Sequence, residues 1–419
     1  MGMTMSEKIL ARAAKLSTVK AGQIVMAKVD KAMMDDLLGP RVEIADQMER
    51  LGAKIWDPER VIIISDHYTP PATAAQADIV KYTRDWSKAK GIKNYYEFIG
   101  PCHQIMIEKG HTLPGEVIVG TDSHSCSYGA VGAFATGIGS TEMLGVLMMG
   151  EIWLKVPETI RVKWKGQLAK GVMAKDLSLH TIKHIGHAGA TYKTVEYVGA
   201  GIAALPMDER ICIANMAVEM GAKAGLMEYD EVTAAYLKEI GVTASFTALK
   251  SDPNANFVAD LEFDASTLVP QIACPHEVDN VTDIGNVKQK IEQAYLGSCT
   301  GGRYTDLKIA AEILKGRKVA EGIRLLVSAA SASIYQQCLR DGIIADLAEA
   351  GAIILPATCG ACLGLHSGTI GAGETCISAT NRNFIGRMGS KKSFVYLGSP
   401  ATVAASAITG EITDPREFL

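Results

Sequence analysis

Four times along this chain a short apolar run stops at a residue that can do chemistry. The run 61-VIII-64 leads into Ser65-Asp66-His67, and 117-VIVG-120 leads into Thr121-Asp122-Ser123-His124. The run 294-AYLG-297 leads into Ser298-Cys299-Thr300, and 352-AIIL-355 leads through Pro356 to Cys359. Apolar runs alternate with helical patterns for most of the length, which predicts an α/β fold. In parallel α/β sheets, ligands bind beyond the carboxyl ends of the strands. The four endings therefore predict one cleft assembled from distant parts of the chain.

The pattern predicts strands at 61–64, 117–120, 324–328, 352–355 and 394–398. Helices are predicted at 41–52, 141–154, 209–223, 305–316 and 333–349, where apolar residues recur at three- and four-residue spacing. Glycine- and alanine-rich stretches at 129–139 and 368–373 predict tight turns and close packing of elements. A chain of 419 residues has room for about two to four domains.

A formal charge of -4 and an aromatic content of 6% argue against nucleic acid as the main partner, which needs a basic surface and stacking rings. The first residues carry charges throughout, and no run reaches the ~18 apolar residues of a membrane span, so neither a leader nor a span is read. Met1-Gly2 with Ser6 fits a short myristoylation pattern, but the segment reads as an ordinary helix start. Nine scattered cysteines without a leader predict a cytoplasmic, reducing setting with thiols reduced or metal-bound.

Cys359 and Cys362 form C-x-x-C just past a strand, and Cys299 in GSCTGG stands in a similar place. Three thiolates suit an iron–sulfur cluster with one iron left without a protein thiolate, which implies Lewis-acid work. Zinc with Cys376 or His366 as fourth ligand, a redox dithiol, and structural thiols are the other readings of this spacing. Cys102, Cys126, Cys212, Cys274, Cys338 and Cys376 read as mostly structural, since cysteine is often buried.

Asp66-His67, His103, Asp122-Ser123-His124 and Glu196 supply several carboxylate–imidazole combinations suited to proton transfer near neutrality. A hydrolase centred on Ser123 lacks the G-x-S-x-G elbow. In 381-NRNFIGRMGSKK-392, Asn381, Arg382 and Arg387 read as a carboxylate or phosphate clamp, or else as a solvated basic loop. His180, His184 and His187 share a helical spacing and read as a wet face. The glycines at 137, 139 and 368–373 do not match a dinucleotide fingerprint.

Together, GTDSHSCSYGAVGAFATGIGSTEM, YLGSCTGGRYTDLKIAAEILKGRKV, CGACLG and NRNFIGRMGS resemble the aconitase superfamily over nearly the whole chain. Within it they resemble the separate large subunits of this length. The resemblance implies an aconitase-type core of three α/β domains, 1–157, 158–278 and 279–419, around a central cleft and without the C-terminal swivel domain. It implies a [4Fe–4S] cluster held by Cys299, Cys359 and Cys362. The implied activity is a hydro-lyase that isomerises or dehydrates a small hydroxy di- or tricarboxylate. Conversion of 2-isopropylmalate to 3-isopropylmalate, in leucine biosynthesis, is the first expectation; homocitrate, 2,3-dimethylmalate and citraconate or maleate are the alternatives.

By motif, the resemblance makes Asp66, His67, His103, Asp122, His124 and Glu196 the catalytic group, with His124 and Glu196 as a supporting pair. It makes Ser123, Asn381, Arg382 and Arg387 substrate-binding. A base serine and a further arginine are expected on a separate small subunit, in a heterodimer or heterotetramer, with this chain inactive alone. A cluster-sensing RNA-binding protein and a zinc-dependent hydrolase are the competing readings.

Overall fold

Ile62, Ile63 and Ile64 have no exposed surface, because their strand, Val61–Ser65, lies inside a five-stranded sheet. The computed structural model describes residues 2–419. Two compact units emerge, each built from discontinuous segments. The first is Met1–Glu97, Ile105–Trp164 and Ala190–Phe263; the second is Phe98–Gln104, Lys165–Gly189 and Asp264–Leu419.

The five-stranded sheet of the first unit runs Asn94–Glu97, Val61–Ser65, Lys31–Asp35, Val117–Gly120, Phe134–Gly137. Every neighbouring pair is parallel. Parallel strands covered on both faces read as continuous apolar runs, which is why the Val61 and Val117 runs are legible. Asp35 pairs with Ile64, and Met33 with Gly120, so the strand ends at Asp35, Ser65 and Gly120 leave from one edge of the sheet. A second sheet in this unit has the order Ala224–Met227, Thr194–Val198, Thr159–Lys165, Ala259–Asp264. Helix Met5–Ala13 starts with a capping box in which Thr4 and Glu7 meet each other's backbone N–H groups.

The second unit holds a seven-stranded sheet in the order Val281–Asp283, Gln271–Ala273, Phe394–Leu397, Thr375–Ser378, Gln293–Leu296, Arg324–Ser328, Ile353–Leu355. The last five strands are mutually parallel, and the Gln271 strand pairs antiparallel on both sides. Cys299, Asn381 and Cys359 each follow the carboxyl end of one of the parallel strands. Leu307, Ala310 and Leu314 of helix Tyr304–Leu314 pack with Leu325, Val327 and Ile377 of these strands in one buried cluster.

All five predicted helices are shorter than the periodicity predicts, with Ile44–Arg50 standing for 41–52 and Tyr304–Leu314 for 305–316. The helix expected at 141–154 is Ser140–Met149, closed by Gly150 at φ 70°, a left-handed stop that glycine adopts freely. Residues 151–155 form a strand instead, alternately exposed and buried, paired antiparallel with Ile24–Lys28. The helix expected at 333–349 is two, Ala332–Arg340 and Ile343–Ala350, broken at Gly342 with φ 78°. The helix expected at 209–223 is Met207–Met216, followed by a tighter turn over Ala217–Met220. Among the described residues, no helix is long and apolar enough to cross a membrane.

Candidate active site

In the first unit the acid–base residues sit where the sheet edge predicts. Asp122 caps the Ser123–Val131 turn of 3-10 helix, its side chain accepting the His124 N–H at 2.8 Å. The same carboxylate lies 3.3 Å from His124 Nδ1 and 3.6 Å from His67 Nε2. Asp66 Oδ1 meets His67 Nδ1 at 2.7 Å. Burial by itself pulls the His67 imidazole down. Asp66, Asp122 and Asp36 outweigh it and hold the pKa well above the ordinary 6.5. Ser123 borders a cavity of about 450 Å³ whose lining includes Thr121, Gly137, Ile138, Glu142 and Lys223. Gly137 must be glycine, since a Cβ there would stand 2.8 Å from Ser123 Cα.

Three residues of this set escaped the sequence reading. Asp36 accepts the backbone N–H groups of Asp66, His67 and Tyr68 at 3.3, 3.0 and 3.0 Å. Asp35 accepts from Leu37 and Leu38, and from the Thr121 hydroxyl at 2.7 Å. Two adjacent buried aspartates therefore hold the loops that carry His67 and Asp122. Burial raises the Asp35 carboxyl to about 6, against the lowering effect of His67. The third residue is Glu219, whose Oε1 lies 2.7 Å from His124 Nε2. A carboxylate pair after the apolar 32-AMM-34 run, and a carboxylate inside 211-ICIANMAVEM-220, were the available signals.

Glu219 corrects the expected pairing of His124 with Glu196. Glu196 stands mid-strand in Thr194–Val198. Its carboxylate accepts from the Ser251 hydroxyl at 2.7 Å and from the Met5 backbone at 3.0 Å. Burial raises its pKa. These contacts anchor the start of helix Met5–Ala13.

In the second unit, Cys299, Cys359 and Cys362 are 5%, 8% and 5% exposed. Burial first, and then the charges of Cys362, Cys359 and Cys299, raise the pKa of the Tyr295 hydroxyl. Asn381 joins two of the thiols. Its Nδ2 donates to Cys299 Sγ, and Cys362 Sγ donates to its Oδ1, both at 3.7 Å. Arg387 also points an N–H at Cys362 Sγ, at 3.7 Å. Ser298 adopts φ 69° just before Cys299, a left-handed conformation that marks stored strain of about 1–3 kcal/mol. Gly301 and Gly302 let this loop lie directly on its neighbours, since a Cβ would meet Ala379 Cβ at 2.3 Å and Ser328 O at 2.5 Å.

His103 is 2% exposed, with Nε2 3.6 Å from Cys102 Sγ. The next residue, Gln104, accepts from the buried Arg303 at 3.0 Å. Asn381 is buried and Arg382 half-buried, so the segment is not a solvated loop at its start. Arg387 Nε is buried and meets no hydrogen-bond partner. Cys376 is remote in chemistry: its thiol donates to Ile377 O at 3.4 Å, and burial raises its pKa to about 12. His366 lays its ring on Gly360, where a Cβ would stand 2.2 Å away. The three helical histidines do not share a wet face. His180 is half-buried and pushed down to about 4 by burial. His187 lies past the helix end at Ile185, with its Nδ1 3.4 Å from Asp279.

The family model described as aconitase family (aconitate hydratase) matches residues 7–410. The chain is 47% identical, over 422 residues, to 3-isopropylmalate dehydratase large subunit 1 of Methanopyrus kandleri, covering 100% of both. It is 46% identical, over 420 residues, to a probable methanogen homoaconitase large subunit of Methanothermobacter thermautotrophicus, covering 99% of this chain and 98% of that one. The solved holo-form of Thermococcus kodakaraensis aconitase X overlaps with a TM-score of 0.49 at 12% identity, covering 85% of this chain and 84% of that one. With the family pattern spanning nearly all of the sequence, the chain belongs to the aconitase family.

Proposed function

We propose that this chain is the large, catalytic subunit of an iron–sulfur hydro-lyase that interconverts 2-isopropylmalate and 3-isopropylmalate, acting with a separate small subunit. The observation that carries the reading is the buried Asn381 amide joining the thiols of Cys299 and Cys362, which lie on separate strand-end loops, with Cys359 three residues before Cys362. The donor set fits a [4Fe–4S] cluster: three buried thiols, two of them joined by the Asn381 amide. Held there, the group would supply a Lewis-acidic iron that polarises the leaving hydroxyl of the substrate.

The chain's own residues supply the rest. His67, whose proton affinity Asp66 and Asp122 raise, is the group assigned to protonate the departing hydroxyl. General acid catalysis of this kind contributes roughly 10²–10⁴-fold. His124, between Asp122 and Glu219, has its ring orientation set at both nitrogens. Arg382 and Arg387 suit the substrate carboxylates, and the unmet Nε of Arg387 is a donor that such an oxygen would satisfy. The base that removes the proton next to a carboxylate is assigned to a serine of the small subunit, with a further arginine. The name of the Methanopyrus kandleri relative supports both isopropylmalate as substrate and the division into subunits.

A second reading, homocitrate as substrate, is favoured by the name of the Methanothermobacter relative, whose identity is nearly as high. The test is turnover of 2-isopropylmalate, homocitrate and 2,3-dimethylmalate by anaerobically prepared chain with and without its small subunit. Iron and sulfide contents are measured on the same sample. Zinc without sulfide, or full turnover by the large chain alone, would overturn the proposal.

A further inference from the structure

Lys175 is 1% exposed. It stands in the first turn of helix Ala174–Ile185, whose start is fixed by Asp176 accepting the Met173 and Gln271 N–H groups, each at 2.8 Å. The Lys175 ammonium donates to the Ala379 carbonyl at 2.9 Å, to the Thr380 carbonyl, and to the Thr300 hydroxyl at 3.4 Å. An ammonium has three N–H donors, and three acceptors meet them here. A charge taken this far out of water is costly unless it is paired or fully hydrogen-bonded. A neutral side chain would fill the same space without that cost, so the cation's contacts call for an explanation.

The acceptors lie on two different loops. Thr300 adjoins Cys299, and Ala379-Thr380 leads directly into Asn381-Arg382. Thr300 Oγ1 itself donates to Ala379 O at 2.9 Å and lies 3.4 Å from Asn381 Oδ1. Asn381 in turn reaches the thiols of Cys299 and Cys362. One buried ammonium therefore holds Thr300 and the backbone just before Asn381, whose amide reaches two thiols from separate strand ends.

We propose that Lys175 is a positioning residue that ties the Cys299 loop to the Asn381 loop and so sets the spacing of the thiols joined by the Asn381 amide. The proposal rests on the reading of Cys299, Cys359 and Cys362 as the cluster ligands. Lys175 touches neither substrate nor cluster; it acts through Thr300 and the backbone before Asn381.

The test uses the full-length chain with Lys175→Met, Thr300→Val and the conservative Thr300→Ser. In metal-free protein, alkylation rates of Cys299 and Cys362 by iodoacetamide are read by mass spectrometry, with Cys338 and Cys376 as buried references. Lys175→Met and Thr300→Val are expected to speed the two site thiols on the order of 10-fold or more, the factor implied by losing a charge-assisted hydrogen bond from a local opening equilibrium. The references should not move, and Thr300→Ser should return the rates toward wild type. In anaerobically reconstituted protein, the same two variants should lose visible absorption in air faster than wild type. Rates and lifetimes equal to wild type in both variants overturn the proposal; Thr300→Val decides it alone if Lys175→Met lacks a cooperative melt. A wild-type chain that takes up no iron sinks the cluster reading instead, while the metal-free thiol rates still decide whether the tie exists.

Discussion

Glu219 Oε1 stands 2.7 Å from His124 Nε2, and both side chains are almost wholly buried. With Asp122 on the opposite nitrogen, this carboxylate holds the imidazole in one orientation. Glu219→Gln keeps the shape and removes the charge. It should lower kcat by roughly 10²–10³-fold with little change in KM, within the range of a positioned acid–base group. Glu196→Ala should do the reverse, since Glu196 anchors Met5 and Ser251. Unmet buried donors there should cost about 1–3 kcal/mol of stability, with kcat nearly kept. Steady-state kinetics and denaturant midpoints on both variants decide between them, and the opposite pattern would return Glu196 to the site.

His67 sets an alkaline limb. Burial lowers its pKa, but Asp66, Asp122 and Asp36 raise it further, to well above 6.5. An imidazolium acting as acid loses activity as pH rises through that elevated value. Asp66→Asn removes the charge nearest Nδ1, so the alkaline limb of kcat/KM should move to lower pH. The stability that the pairing contributes is fully present below the unfolded value near 6.5 and is lost as pH rises through the folded one. A limb that stays in place in Asp66→Asn would remove His67 as the acid.

Asp36 is expected to matter through the backbone. Asp36→Ala leaves the N–H groups of Asp66, His67 and Tyr68 without their acceptor. With each buried unmet donor costing about 1–3 kcal/mol, a loss of about 3 kcal/mol or more is expected in a denaturant titration. Asp35 has the opposite pH sign to a paired carboxylate. Its folded pKa of about 6 lies above the ordinary 3.8, so stability falls as pH rises between those values. Asp35→Asn should flatten that part of the pH–stability curve.

Serine at Cys299, Cys359 or Cys362 should each abolish stable iron binding, read as iron and sulfide per chain after anaerobic reconstitution. Cys376→Ser should keep wild-type iron. Its thiol, raised to about 12 by burial, carries almost no thiolate at neutral pH, and thiolate is the form that binds metal. Iron retained in Cys362→Ser and lost in Cys376→Ser would reverse the ligand assignment.

The strands were the most legible part of the chain. The Val61, Val117, Arg324 and Phe394 runs all became strands within a residue or two of their expected ends, the first three because burial on both faces writes a dense apolar signal. Helix ends were less legible where a left-handed glycine stopped the pattern, at Gly150 and Gly342. In the site, Asp66-His67 and Asp122-Ser123-His124 could be read from their place after apolar runs. Glu219 could not, because a glutamate in a helical run looks the same whether it faces solvent or an imidazole. Glu196 drew attention by a motif, and its partners proved to be Ser251 and Met5.

Local pattern alone determined the strands written as continuous apolar runs, the Thr4 cap of helix Met5–Ala13, and which side chains leave those strand ends. Periodicity and capping act over a few residues, so neighbouring letters carry them. Tertiary structure alone decided who meets whom: Glu219 with His124 across 95 positions, and Lys175 with Thr300 across 125. A hydrogen bond needs two atoms at about 3 Å, and that distance depends on how every intervening element packs, which no short stretch of sequence records.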